Sequence, residues 1–515
     1  MIMVMGTDTL SLAVNTTALL AALTLIFLFF FSTNLGRRQP NPPPGPKPWP
    51  IIGNLNLIGS LPHRSIHSLS QQYGPLIQVY YGSVPVVVAS SVSMAKQLLK
   101  THDHNFASRP KNAAGKHTFF NYSAMTWSSY GPYWRFLRKL YLTELFTPKR
   151  LDLYEKIRME EMGLLLWKIY DLSGKEIRLK THLWNANLSF VSRIVMGKKF
   201  SDEPVEALEE LKKMFEELFF LNGVLDIGDV FPWLGFLDLK GYVKQMKDLG
   251  KRFDGFLEKV IYEHEMRRRG VEILVENDMV DVLMRLADDP NLEVKLDRTA
   301  LKGITLELLA GSTESSIVSV EWAISLLLKN PEIFKKATEE LDRVVGRERW
   351  VEEKDIPHLP YIDSIMKETM RIHPVSPLLT PHQAQEDCEV AGYTILAGTR
   401  VHVSTWTIGK DPTLWDAPHE FRPERFIGKA IEVKGRDFEL LPFGSGRRMC
   451  PGYALGLKMI QSYLANLIHG FLWKLPGEMQ PQDLNMDEVY GLSAPKKIPL
   501  FAMAEPRLPP HLYCS

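Results

Sequence analysis

Over much of the chain, apolar residues return every three or four positions with charged residues on the opposite face: 206–219, 242–269, 302–328, 331–345 and 453–469. That period predicts helices packed on a common core. Shorter runs with strand character, 76–81, 84–89, 390–395 and 400–403, are set off by turn residues such as Gly82-Ser83 and Ala397-Gly398. The expected fold class is mostly α with small β-sheets at the periphery. Beyond Ile51 there is no fixed-period repeat and no second linker, so 51–515 is expected to form one domain.

The N-terminus follows another pattern. Positions 9–36 carry no charge, and 18–31 read ALLAALTLIFLFFF. A helix needs ~20 mostly apolar residues to cross a bilayer, and this stretch supplies them. A cleaved signal peptide would open with a basic region and end at small residues, whereas here the early charge is Asp8 and the run ends in Ser-Thr-Asn. Arg37 and Arg38 follow at once, and basic residues stay on the cytoplasmic side. The expected layout is an N-terminal membrane anchor (1–36), a basic and proline-rich hinge (37–50) and a folded body (51–515). In the hinge, Asn41-Pro-Pro-Pro-Gly-Pro-Lys-Pro-Trp-Pro50 favours extended polyproline geometry and predicts a stiff spacer. That layout places the chain as a single-pass protein of the endoplasmic reticulum membrane with its body in the cytosol.

Charge and cysteine content narrow the chemistry. Against 60 Asp plus Glu stand 61 Lys plus Arg, a net charge of +1, so no global field favours nucleic acid. Cys388, Cys450 and Cys514 are too few and too scattered for a disulfide framework or a zinc site, which suits a reducing compartment.

One cysteine stands in a distinctive setting, Phe443-Gly-Ser-Gly-Arg-Arg-Met-Cys-Pro-Gly452, just before the helical pattern 453–469. A thiolate donates electron density strongly to haem iron. Gly446 and Gly452 permit tight turns and close approach to a flat macrocycle. A helix N-terminus stabilises the Cys450 anion, and Arg448 is placed to pair with a haem propionate. A buried structural cysteine would not account for Phe443, Gly446, Arg448, Cys450 and Gly452 together.

This segment resembles the haem-ligand signature of the cytochrome P450 superfamily, F-x-x-G-x-R-x-C-x-G, and further motifs follow the family's order. Glu368-Thr-Met-Arg371 resembles its E-x-x-R helix, Phe421-Arg-Pro-Glu-Arg-Phe426 its P-E-R-F segment, and Trp134-Arg-Phe-Leu-Arg138 its W-x-x-x-R helix. The resemblance implies the family fold, with haem b between two central helices and Cys450 as the axial metal ligand. It implies a buried network of Glu368, Arg371 and Arg425 behind the haem, and propionate contacts from Trp134, Arg138 and Arg448. His382 stands where many relatives place an arginine against a propionate. The likeness is strongest to plant microsomal members that oxidise specialised metabolites.

In that family an acid and an alcohol on a distorted central helix deliver protons to bound dioxygen. Gly311-Ser-Thr-Glu-Ser-Ser316 puts Glu314 in the acid position and Ser315 in the usual threonine position, with Ser312 replacing a glycine. Ser315 keeps the hydroxyl but lacks the methyl that restrains a threonine rotamer, which implies a competent relay with a looser water network. Thr313 is a poor substitute, because two helical residues rotate it by ~200° to another face.

The resemblance also implies NADPH- and dioxygen-dependent monooxygenation, with electrons from a separate NADPH-cytochrome P450 reductase, since no G-x-G-x-x-G unit is present. Arg135, Lys139, Lys434, Arg436, Arg447 and Lys458 are candidates for the docking face. Pocket segments transferred from the family are 118–122, 219–221, 306–310, 376–380 and 491–492; they are apolar and aromatic. They point to a small hydrophobic substrate, with an aromatic phenylpropanoid such as a lignan or flavonoid ahead of a terpenoid. Ser315 adds a hint of oxidative ring or methylenedioxy rearrangement. Terpenoid oxidation or C–C cleavage by the same chemistry, and a reductase-independent haem-thiolate isomerase, remain alternatives.

Overall fold

A computed structural model describes residues 40–199, 205–269 and 278–514. The apolar stretch 9–36 and the Arg37-Arg38 pair lie outside the described residues. Among the described residues, no helix is long and apolar enough to cross a membrane.

The helical expectation holds, with one informative difference. The pattern 302–328 is two helices, Arg298–Thr313 and Ser315–Lys329, broken at Glu314. Both are almost wholly buried at the centre of the fold. A break in a buried helix frees carbonyls that must find other donors. Asn187, on the helix Leu179–Met196, meets that demand by donating its side-chain amide to the carbonyls of Ser312 and Thr313, both at 2.7 Å. The helices Pro360–Ile372 and Tyr453–Gly470 pack against Ser315–Lys329 and complete the core. On the opposite side of Arg298–Thr313, Tyr242–Arg268 lies between it and Val205–Leu221.

The strands form three small sheets. In the first, β1 (Leu76–Tyr81) pairs antiparallel with β2 (Val84–Ala89), and β2 runs parallel to β7 (Arg400–Val403), which pairs antiparallel with β4 (His382–Gln383). The second has the order β3 (Glu176–Arg178), β9 (Phe501–Pro506), β8 (Phe471–Lys474). The third replaces the single strand expected over 390–395 with a hairpin, β5 (Cys388–Val390) and β6 (Tyr393–Ile395). Its turn puts Ala391 at φ 51° and Gly392 at φ 82°. Alanine seldom adopts a left-handed conformation, so the turn carried no obvious marker beyond the glycine.

From Pro40 onward, the proline-rich segment lies against the body. Gln78 N–H donates to the Pro44 carbonyl at 2.9 Å, and Asn54 reaches the carbonyls of Pro46 and Lys47. A Cβ at Gly45 would fall 1.9 Å from the Gln78 carbonyl oxygen, so only glycine lets the two backbones meet.

Glu368, Arg371 and Arg425 come together as the motif implied. Arg371 makes a bidentate contact to Glu368 at 2.7 and 2.8 Å, with both side chains fully buried, and Arg425 adds 2.9 Å. The Arg422 N–H also donates to Glu368, while Arg371 spends its other donors on the carbonyls of Gly409, Pro418 and Glu420. A buried carboxylate facing two guanidiniums is tolerable only when every donor is used. Replacing Glu368→Gln strands both arginines, and unfolding free energy should fall by about 3–5 kcal/mol in chemical denaturation.

Candidate active site

The cysteine loop closes on itself before the helix Tyr453–Gly470 begins. Cys450 N–H donates to the Phe443 carbonyl at 2.9 Å, and the Gly452 N–H points at the sulfur. Burial pushes the Cys450 thiol above its ordinary value, while that N–H and Arg138 pull it back. Gly446 sits at φ 68°, where a Cβ would meet the Leu99 carbonyl at 2.3 Å. The requirement for glycine there therefore comes from the neighbouring chain. Gly452 has φ −89°, and a Cβ would touch only Phe146 at 3.6 Å, so no atom of the chain itself demands glycine there.

Above the loop lies a cavity of about 340 Å³ bordered by Cys450, Phe443, Arg448, His382, Glu314 and Ser315. The structure thus brings most of the candidate residues to one space. Arg138, which donates to the Met449 carbonyl at 2.5 Å, stands against the backbone of the loop. Arg448 donates to the carbonyls of Ala107, Met125 and Ser128 and lies 4.5 Å over the Trp134 ring. Beside them is a cation that the sequence reading passed over, Arg109, which donates to the carbonyls of Thr126, Thr380 and Pro381. It sits in an irregular loop, Phe106-Ala-Ser-Arg-Pro110, where no periodicity marks it.

None of Arg109, Arg138 and Arg448 forms an ion pair among the described residues. Burial, then repulsion from Arg109 and Arg138, disfavours the charge on Arg448. A guanidinium keeps its proton in a protein, so that cost is a demand for an anion. The adjacent carboxylate, Glu307, is already engaged by Met125 N–H, Thr126 N–H and the Tyr141 hydroxyl at 2.6–2.8 Å. Trp134 Nε1–H is buried without a partner. Unpaired cations, an orphaned indole donor and a cysteine sulfur around one cavity fit haem, whose two propionates supply anions and whose iron takes the thiolate.

His382 faces the same cavity in a state that limits its use. Burial, and secondarily Arg109, hold its pKa well below the ordinary value, and Nδ1 lies 2.8 Å from the Phe106 carbonyl. Nδ1–H donates there, so only Nε2 faces away from the backbone carbonyl.

Ser315 lines the cavity and donates to the Gly311 carbonyl at 3.1 Å. Glu314 is buried, accepting from the Ser493 hydroxyl at 2.9 Å and facing Lys180 Nζ at 3.3 Å. Thr313 is turned into the core and back-bonds to the Leu309 carbonyl. Sequence reading missed Lys180, Asn187 and Ser493, which lie far from the motif in the chain and carry no motif of their own.

The pocket segments divide. Phe219, Leu308, Ala310, Ser376, Leu379, Thr380 and Leu492 border the cavity, joined by Val375 from just outside the expected segment. In the 118–122 segment, by contrast, Phe119 is buried in the helical core, Phe120 borders a separate surface cleft, and Tyr122 bonds to the Asn112 carbonyl. Phe220 is 53 % exposed on the outer face. The cavity wall is therefore aromatic as well as aliphatic, but its aromatics, Tyr141, Phe146, Phe190 and Phe443 beside Phe219, are mostly not those of the expected segments. Among the proposed docking cations, Arg447 is paired with Asp103 and Lys458 with Glu353.

Comparison with known proteins agrees with this geometry. A family model described as Cytochrome P450 matches residues 43–501. A trimethyltridecatetraene synthase of Zea mays is 44% identical over 95% of this chain and 93% of its own length. A flavonoid 3'-monooxygenase of Arabidopsis thaliana is 41% identical over 96% of this chain and 98% of its own. A solved zebra fish cytochrome P450 structure with abiraterone superposes with a TM-score of 0.73 at 25% identity, covering 87% of this chain and all of that one. The chain belongs to the cytochrome P450 family. Its cofactor is haem with a cysteine thiolate as axial ligand, and it is a cytochrome P450 monooxygenase.

Gly446→Ala should force a β-carbon into the Leu99 carbonyl at a left-handed position. Haem content per folded protein should fall at least severalfold, read by the ratio of haem to protein absorbance, whereas Gly452→Ala should leave the apoprotein's stability nearly unchanged.

Proposed function

We propose that the chain inserts one oxygen atom from dioxygen into a neutral, hydrophobic plant specialised metabolite, at the cytosolic face of the endoplasmic reticulum, with electrons from NADPH-cytochrome P450 reductase. The observation that carries the reading is the placement of Glu314 and Ser315 on the wall of the cavity that also exposes Cys450. Haem, when bound, supplies the activation of dioxygen, which thiolate ligation favours. Glu314 holds a proton source at the helix break, and Ser315 presents a hydroxyl toward the cavity. Arg138, Arg448 and Trp134 hold the propionate side, with Arg109 completing the cationic wall. Glu368, Arg371 and Arg425 keep the polypeptide behind the cysteine loop rigid. Presence of both relay residues favours a monooxygenase over a reductase-independent isomerase.

Two substrate classes remain. An aromatic phenylpropanoid is supported by the flavonoid 3'-monooxygenase relatives and by Phe219. The aliphatic part of the wall, Leu308, Val375, Leu379 and Leu492, equally suits a terpenoid, with oxidation or C–C cleavage. Relatives from Zea mays named for trimethyltridecatetraene and dimethylnonatriene agree with that second class. On the likeness to those two relatives we place the terpenoid ahead. In a paired assay with reductase, an acyclic terpenoid alcohol should give an NADPH-dependent product at the higher rate; faster turnover of a flavonoid would reverse the order. Glu314→Gln should lower turnover by about 10²-fold. Reversing charge at Lys434 and Arg436 should lower reductase-supported turnover and flatten its salt dependence; an unchanged rate and salt dependence would remove this patch from the docking face.

A further inference from the structure

Glu314 is held from two sides by groups that no motif includes. Its Oε1 faces Lys180 Nζ at 3.3 Å, and Lys180, at the start of the helix Leu179–Met196, is itself part-exposed. Its Oε2 accepts the Ser493 hydroxyl at 2.9 Å, a buried contact across 179 residues of chain. Ser493 and its neighbour Leu492 belong to a short loop, and both border the cavity. That loop is fixed on both sides. Ala494 N–H donates to the Val375 carbonyl at 2.8 Å, and the Ala494 carbonyl accepts from Trp322 Nε1 at 3.0 Å. Next to Leu492, Gly491 meets Gly223 so closely that a Cβ on Gly223 would lie 2.4 Å from the Gly491 Cα.

The direction of the Glu314 carboxylate is set by what its two oxygens touch, which here is Lys180 on one side and Ser493 on the other. A hydrogen bond to a charged acceptor is the stronger kind, and this one is shielded from water. The residue at its far end is itself on the cavity wall, beside Leu492. The packing at Leu492 therefore bears on the donor that orients the acid.

We propose that Ser493 is a positioning residue for Glu314, through which contact between substrate and Leu492 sets the direction of the carboxylate. The proposal rests on the reading of Glu314 as the relay acid. Correct orientation would direct reducing equivalents into product; a misaligned acid would let them escape as hydrogen peroxide.

The full-length, haem-loaded protein with reductase, given an acyclic terpenoid alcohol or a flavonoid, tests this through peroxide released per NADPH oxidised. Ser493→Ala should raise that fraction severalfold and lower kcat by about tenfold while KM stays within about twofold; Ser493→Thr should restore both. Leu492→Ala should change the peroxide fraction in the native background but add little in the Ser493→Ala background. Thermal unfolding of the same proteins gives a readout independent of turnover: Ser493→Ala and Glu314→Gln should be non-additive in Tm. Additive Tm shifts, or an unchanged peroxide fraction in Ser493→Ala, would overturn the positioning role. Undiminished, coupled turnover in Glu314→Gln would instead overturn the relay reading itself.

Discussion

Unpaired positive charge around the cavity that exposes the cysteine sulfur is the constraint on which the site depends. Arg109 and Arg448 line that cavity with Cys450 and Arg138 stands against its loop, all three bonded to backbone carbonyls, while Glu307 is committed elsewhere. Carbonyls satisfy donors without neutralising charge, so a chain that buries Arg109 and half-buries Arg138 and Arg448 this way carries a standing electrostatic cost. Bound haem would offset it, because its propionates would give Arg109, Arg138 and Arg448 the anions the chain does not supply, while Cys450 would hold the iron. The same cost explains why cofactor binding and folding should be linked in this protein.

The scaffold around that cavity solves two further problems of buried polarity by the same means. Glu368 is saturated by Arg371, Arg425 and a backbone N–H, which locks the segment carrying Pro423–Phe426 onto the helix Pro360–Ile372. Asn187 caps the carbonyls released at Glu314, allowing a central helix to bend without leaving orphan groups. The bend is what gives a carboxylate room beside the cavity instead of within a helical stack.

Features fixed by local chemistry were legible in the sequence. The cysteine loop, the Glu368–Arg371 spacing and strands Leu76–Tyr81 and Val84–Ala89 declare themselves through residue type and interval. Features set by distant partners were not. The Gly311–Ser316 motif implied a distorted helix at Glu314, but Asn187, which stabilises the break, and Lys180 and Ser493, which direct the acid, have no local signature. Arg109 lies in an irregular loop. The expected strand over 390–395 became a hairpin because Ala391 accepts a left-handed turn that composition alone would not assign to alanine. Aromatic residues at 118–122 read as a pocket wall, yet tertiary packing sends Phe119 into the core and Phe120 outward. An apolar residue announces burial but not which cavity it faces.

The most direct test of the central claim is the reduced, carbon-monoxide-bound absorption spectrum of the full-length protein beside Cys450→Ala. The account predicts a red-shifted, thiolate-type Soret band in the native protein and its loss in the variant, with circular dichroism showing both to be folded. Absence of that band from folded, haem-loaded native protein, or its persistence in Cys450→Ala, would contradict the assignment of Cys450 as the iron ligand.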